Sequence, residues 1–176
     1  MTLTNTASFA GTLRGHGTLR LPAGEDLALT GDVSGFAGVV ELAGGTLTPP
    51  AGTAKMAATF RVTPIDPAKT AVCAGDVEIP DGTALAVTKD FAGPFVTSAG
   101  RVLVMGGGAV TLPDAKATGT WIIGQGAEDA QDLGTGDLDA RWTVTNLSAP
   151  RSAKFRLQGG AFTCTVLGGG SVICIR

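Results

Sequence analysis

The sequence predicts an all-β chain built from short, imperfectly repeated strands, and three observations carry that expectation. Glycine supplies 27 of the 176 residues, roughly twice the usual share of ~7%. Charged residues make up only 16% of the chain and hydrophobic residues 44%, the reverse of the composition that keeps a chain disordered. Glycine or proline interrupts almost every ten-residue window, which leaves no room for the sustained 3.6-residue periodicity of a helix. The glycines do not recur at every third position, so a collagen triple helix is excluded. The length suffices for one domain with a core of its own.

Taken in order, the strand candidates are rich in Val, Thr, Leu and Ile or alternate in polarity. They are Thr18–Leu21, Val39–Leu42, Thr59–Thr63, Arg101–Met105, Trp142–Thr145 and Phe162–Val166. Turn signals stand between them at Pro22-Ala23-Gly24, Asp81-Gly82 and Gly106-Gly107-Gly108, giving many short strands joined by regular turns. Ala127–Leu133 is the one stretch with helical potential, but it is short and acidic and reads as a loop.

The chain repeats itself. Phe9-Ala10-Gly11, Phe36-Ala37-Gly38 and Phe91-Ala92-Gly93 each open a strand, a glycine, a second strand and a glycine-containing turn. The first two copies lie 27 positions apart and the next 55 further on, one and two units of a common period. A weaker copy begins at Phe155, and its offset requires an insertion, for which the acidic stretch 124–140 is the candidate. The expectation is one repeat-built β domain over residues 1–176. Such a period points to a solenoid, propeller or array, because a unit of two or three short strands covers its apolar face only by stacking on a neighbour. The recurring Phe would then form an internal stack. A β-sandwich or jelly roll is the rival architecture, kept open by Thr48-Pro49-Pro50, Pro64-Ile65-Asp66-Pro67 and the imperfect period.

Residues 9–52 resemble the autotransporter-associated β-strand repeat of bacterial surface proteins. Gly15-His16-Gly17-Thr18-Leu19 matches its G-x-G-x-L strand and Leu27-Ala28-Leu29-Thr30-Gly31 its second strand. Ser34-Gly35-Phe36-Ala37-Gly38 matches the turn, and Gly44-Gly45-Thr46-Leu47 the closing G-G-x-L. The resemblance implies a right-handed parallel β-helix of the passenger type, projecting from a cell.

Residue by residue, chemistry finds little footing. His16, the only histidine, sits between two glycines, with no second His or Cys near in sequence to form a metal site or nucleophilic pair. Glu128, Asp129, Asp132, Asp137 and Asp139 form the richest acidic patch. A calcium reading exists for them, because Ca²⁺ takes six to eight oxygens, but the spacing fits neither the EF-hand nor the nonapeptide calcium repeat. A solvated acidic loop is the alternative. Trp121 and Trp142 stand in strand contexts and read as core or end-cap residues rather than sugar platforms. Gly106–Gly108 and Gly168–Gly170 lack the Lys-Ser/Thr and helix of a phosphate loop and read as turns. Cys73, Cys164 and Cys174 form no metal-binding pair. The last two lie in apolar runs and suit buried thiols, with a disulfide between adjacent strands as the alternative. No catalytic, cofactor-binding or metal-binding residue is expected.

Thirteen basic and fifteen acidic residues give a net charge of −2, without the basic concentration that nucleic-acid binding needs. No run of 18 apolar residues is present, so no helical membrane insertion is expected. The N-terminus shows no signal peptide, and no C-terminal membrane barrel of alternating segments is visible. The expected function is a non-catalytic structural or adhesive surface module, extracellular or at a cell surface, that self-associates or binds a surface glycan or protein. A virion component such as a tail fibre, spike or capsid decoration protein is one alternative. A carbohydrate-active enzyme on a β-helix, resting on fold analogy alone, is another.

Overall fold

The computed structural model describes residues 8–22, 25–43, 45–53, 55–62, 70–87, 94–114 and 116–169. The Phe91-Ala92-Gly93 copy, Pro64–Pro67 and Cys174 lie outside them. Strands follow one another in passes along these residues. The first pass holds β1 (Ser8–Phe9) and β2 (Thr18–Leu21), the second β3 (Leu27–Leu29) and β4 (Val39–Leu42), the third β5 (Leu47–Thr48) and β6 (Thr59–Val62). Three strands then appear per pass: β7 (Ala71–Cys73), β8 (Val77–Ile79) and β9 (Thr83–Ala86), followed by β10 (Phe95–Thr97), β11 (Val102–Val104) and β12 (Gly108–Thr111). The last pass holds β13 (Gly119–Gly126), β14 (Ala130–Asp132), the helical turn α1 (Leu138–Arg141) and β15 (Trp142–Val144). A hairpin of β16 (Ser152–Gln158) and β17 (Ala161–Leu167) closes the described chain.

Each pass pairs with the next in parallel. One sheet runs β2-β4-β6-β8-β11-β14, a second β1-β3-β5, a third β9-β12-β15, and the parallel part of a fourth β7-β10-β13. A bridge between Thr46 and Val72 links the β5 region to β7. Antiparallel pairing, the rule in sandwiches and jelly rolls, is confined among the described residues to the β16–β17 hairpin and the β13–β17 contact.

The physical basis is alternation. Strand side chains point to opposite faces in turn, and β2 buries Leu19 and Leu21 while exposing Thr18 and Arg20. Register carries this inward row across the six-stranded sheet, from Leu19 to Val40, Phe60, Val77 and Val102, each 2% exposed or less. In the fourth sheet the inward row alternates in size: Ala71, Phe95, then Gly124. A Cβ on Gly124 would overlap the Phe95 ring, so glycine is what leaves room for this ring against the next strand. Trp142 lies over Gly108 in the same way and donates its indole N–H to the Gly106 carbonyl at 2.9 Å.

Register corrects the expected period and the expected Phe stack. Ser8 pairs with Ala28 and Thr18 with Val39, advances of 20 and 21 residues rather than 27. Phe9 therefore lies beside Leu29 and Phe36 beside Gly15, and the two rings belong to different rows. Later advances lengthen, from 25 between Thr83 and Gly108 to 34 between Gly108 and Trp142. Residues 124–140 are not one loop: they hold the end of β13, the whole of β14 and most of α1. Within 127–133, Ala130–Asp132 is a strand rather than part of a loop. Among the described residues the weak copy at Phe155 opens no further parallel pass. Gly159 and Gly160, at φ 56° and 78°, form the two-residue turn of an antiparallel hairpin, and β17 covers the edge that β13 would otherwise leave unpaired.

Candidate functional site

The outward face of the six-stranded sheet is where ordered charge accumulates. The row facing away from Leu19 and Val40 reads Arg20, Glu41, Arg61, Glu78, then Leu103 and Gln131. Arg20 contacts Oε2 of Glu41 through Nε at 2.8 Å and Nη2 at 2.6 Å, and Arg61 Nη2 contacts Oε2 of Glu78 at 3.2 Å. Opposite charges on adjacent strands attract and like charges repel, so alternation suits a row whose members sit one strand spacing apart. The sequence hides this row, because its members are 21, 20 and 17 positions apart and only the register aligns them.

A second charged group straddles four passes. Asp76 takes Lys55 Nζ on Oδ1 at 2.6 Å and Arg101 Nη2 on Oδ2 at 2.8 Å, and it also accepts the Arg101 backbone N–H at 3.0 Å. Lys55 reaches on to Glu128 at 3.1 Å. Burial alone would raise the Asp76 carboxyl, but the bonds from Arg101 and Lys55 outweigh it and hold the group well below the usual carboxylate range. The hydrogen bond to Asp76 correspondingly raises the Lys55 ammonium. Lys55, Met56 and Ala57 line two adjoining grooves, one of 370 Å³ toward Asp32 and Ser34 and one of 390 Å³ toward Asp76. A third depression of 470 Å³ is lined by Asp81, Met105, Gly106, Gly107, Thr135 and Arg141.

The residues singled out in the sequence scatter. His16 is exposed beside Gly15, whose φ is 92°. The five acidic residues do not converge: Asp132 pairs with Arg141, Glu128 with Lys55 and Asp139 with Lys154 and Arg156. Asp129 accepts from the Gln131 amide, and Asp137 caps α1 by accepting from the Asp139 N–H. Trp121 and Trp142 are 6% and 1% exposed, so neither offers a surface ring. Trp142 instead packs edge-on against Phe162 at 4.9 Å and lies 6.0 Å from Phe155. Cys73 and Cys164 are buried and unbridged. Burial pushes both thiols up, that of Cys164 to about 11 with a contribution from Asp139. Among the described residues no helix is long and apolar enough to cross a membrane. Comparison with protein-family models, with curated proteins and with solved structures finds no match to this chain.

Proposed function

We propose that the chain is a non-catalytic structural or adhesive surface module, built as a right-handed parallel β-helix of the autotransporter-repeat kind. The observation that carries the reading is register. Successive passes add parallel strands to the same ladders at advances of 17–34 residues, with apolar rows inward and polar rows outward. A solenoid produces such a pattern, because each unit buries its apolar face only against its neighbours. Right-handed crossover is the general preference for parallel strands of one sheet. The product of stacking is an ordered face of aligned strands, suited to spacing or contact rather than to enclosing a substrate.

Two measurements test this. Light scattering coupled to chromatography, with small-angle scattering, should give an elongated particle. A glycan and extracellular-protein array should then show retention without turnover. Release of reducing ends from any of a panel of polysaccharides, with or without calcium, would replace this reading by that of a carbohydrate-active enzyme. A stable trimer retained on no surface ligand would favour the virion reading.

A further inference from the structure

We propose that the outward face of the six-stranded sheet takes a second copy of this chain, across a two-fold axis lying parallel to the strands between β4 and β6. The row reads cation, anion, cation, anion over β2, β4, β6 and β8. Rotation about that axis reverses the order of the strands and keeps each position along them. Arg20 then faces Glu78 of the second copy, and Glu41 faces Arg61, with the remaining two pairs related by symmetry. An alternating row of four is thus complementary to itself, whereas one of three would set like charges on the axis. The same operation brings Val39 opposite Thr59, an uncharged pair.

The in-chain pairs account for part of the alternation and leave part of it unused. Glu41 and Arg61 are neighbours in register, yet among the described residues no ion pair joins them. The in-chain contacts fall on Oε2 of both carboxylates, and the second copy is assigned to Oε1. The guanidinium-bearing side chains of Arg20 and Arg61 are 64% and 41% exposed.

Geometry sets the strength. Four strands spaced ~4.8 Å apart and about four residues long give a contact of roughly 20 Å by 13 Å, or roughly 250 Å² on each copy. That is well below the ~1,000 Å² in total expected of a stable complex, so the association is weak and reversible. Exposed charge fixes orientation and salt dependence more than affinity.

The test is sedimentation equilibrium of the full chain from micromolar to millimolar concentration. It is run in about 20 mM and about 500 mM salt, which shortens the screening length from roughly 20 Å to roughly 4 Å. A monomer–dimer equilibrium is expected in low salt, with Kd raised at least about tenfold in high salt. The variant Glu41→Gln with Glu78→Gln, which introduces no new repulsion, should stay monomeric in low salt. Arg20→Glu with Arg61→Glu, and Glu41→Arg with Glu78→Arg, should each be monomeric alone and associate when mixed. The wild-type measurement stands even where a charge-reversed variant does not fold. Wild-type protein that remains monomeric at millimolar concentration in low salt overturns the proposal. So does a dimer indifferent to salt, or one that survives the double glutamine substitution.

Discussion

The carboxylate of Asp139 accepts the backbone N–H of Phe155 at 2.6 Å, which ties α1 to β16, the outer strand of the C-terminal hairpin. Lys154 and Arg156 on the same strand close on Asp139 at 3.3 Å. The Phe155 N–H, followed by these cations, holds the Asp139 carboxyl below its ordinary range. Asp139→Ala removes the acceptor of a part-buried N–H, at a cost of about 1–3 kcal/mol. Faster amide exchange localised to Phe155 and its neighbours on β16 is the expected readout. Unchanged exchange there would show that the strand pairing with β13 and the aromatic packing hold the hairpin without Asp139.

Acid should weaken the fold through Asp76 and Asp139 together. Both have folded-state values below their unfolded ones. Their contribution is therefore complete above the ordinary carboxylate pKa of about 3.9 and is lost as pH falls through the lower folded-state values. Urea midpoints should be flat from about pH 7 to 5 and fall below about pH 4. In Asp76→Asn the fall should be shallower, because one of the linked groups is gone, and the midpoint at pH 7 should already be lower.

Gly124 should resist any side chain. A Cβ there would overlap the Phe95 ring, and overpacking of a filled core costs about 1–3 kcal/mol. Phe95→Leu alone opens space between Ala71 and Gly124. Combined with Gly124→Ala it should cost less than the sum of the two, a coupling that a double-mutant cycle measures. Strict additivity would mean that the ring and the glycine do not share a packing constraint.

Much of this architecture is legible in the sequence, and the illegible part has a physical reason. Thr18–Leu21 and Val39–Leu42 are strands within the bounds their composition predicts, because in each a buried apolar face alternates with a more exposed one. The pass length is not legible, because Phe-Ala-Gly marks different places in successive passes: Phe9 lies in β1, whereas Phe36 precedes β4 at an isolated bridge. Ala130–Asp132 is a strand despite its polar sequence, since pairing with Val102–Val104 outweighs its own propensity. The Arg20–Glu41–Arg61–Glu78 row has no sequence signature, because the loops between its strands set the spacing and register alone aligns it.

The thiols offer a test of the core. Cys73 and Cys164 are 1% exposed or less, and burial raises both above their ordinary value, which leaves little of the thiolate that reacts. In the native protein at about pH 8 neither should be alkylated within hours, and both should react at once in denaturant. Peptide mass spectrometry assigns the sites separately. Rapid native labelling of Cys164 would mean that β17 leaves β13 readily.

Removing one pass tests the ladder and its charge order at once. The pairings Leu27 with Leu47 and Val39 with Thr59 are both offset by 20 residues. Deleting residues 27–46 therefore brings β5 against β1 and β6 against β2 without a change of register. The inward row survives, with Leu19 now beside Phe60. The outward row does not, because Arg20 then lies beside Arg61. The shortened chain should keep its β-type circular dichroism and unfold cooperatively at lower urea. Adding Arg20→Glu restores the alternation, with an anion on β2 ahead of Arg61 and Glu78, and should return about 0.2–1 kcal/mol. The same substitution in the full-length chain should destabilise it, because there residue 20 faces Glu41. A deletion variant with no folded state, or an Arg20→Glu effect of the same sign in both backgrounds, would show that the passes are not interchangeable units and that the charge row does not act through register.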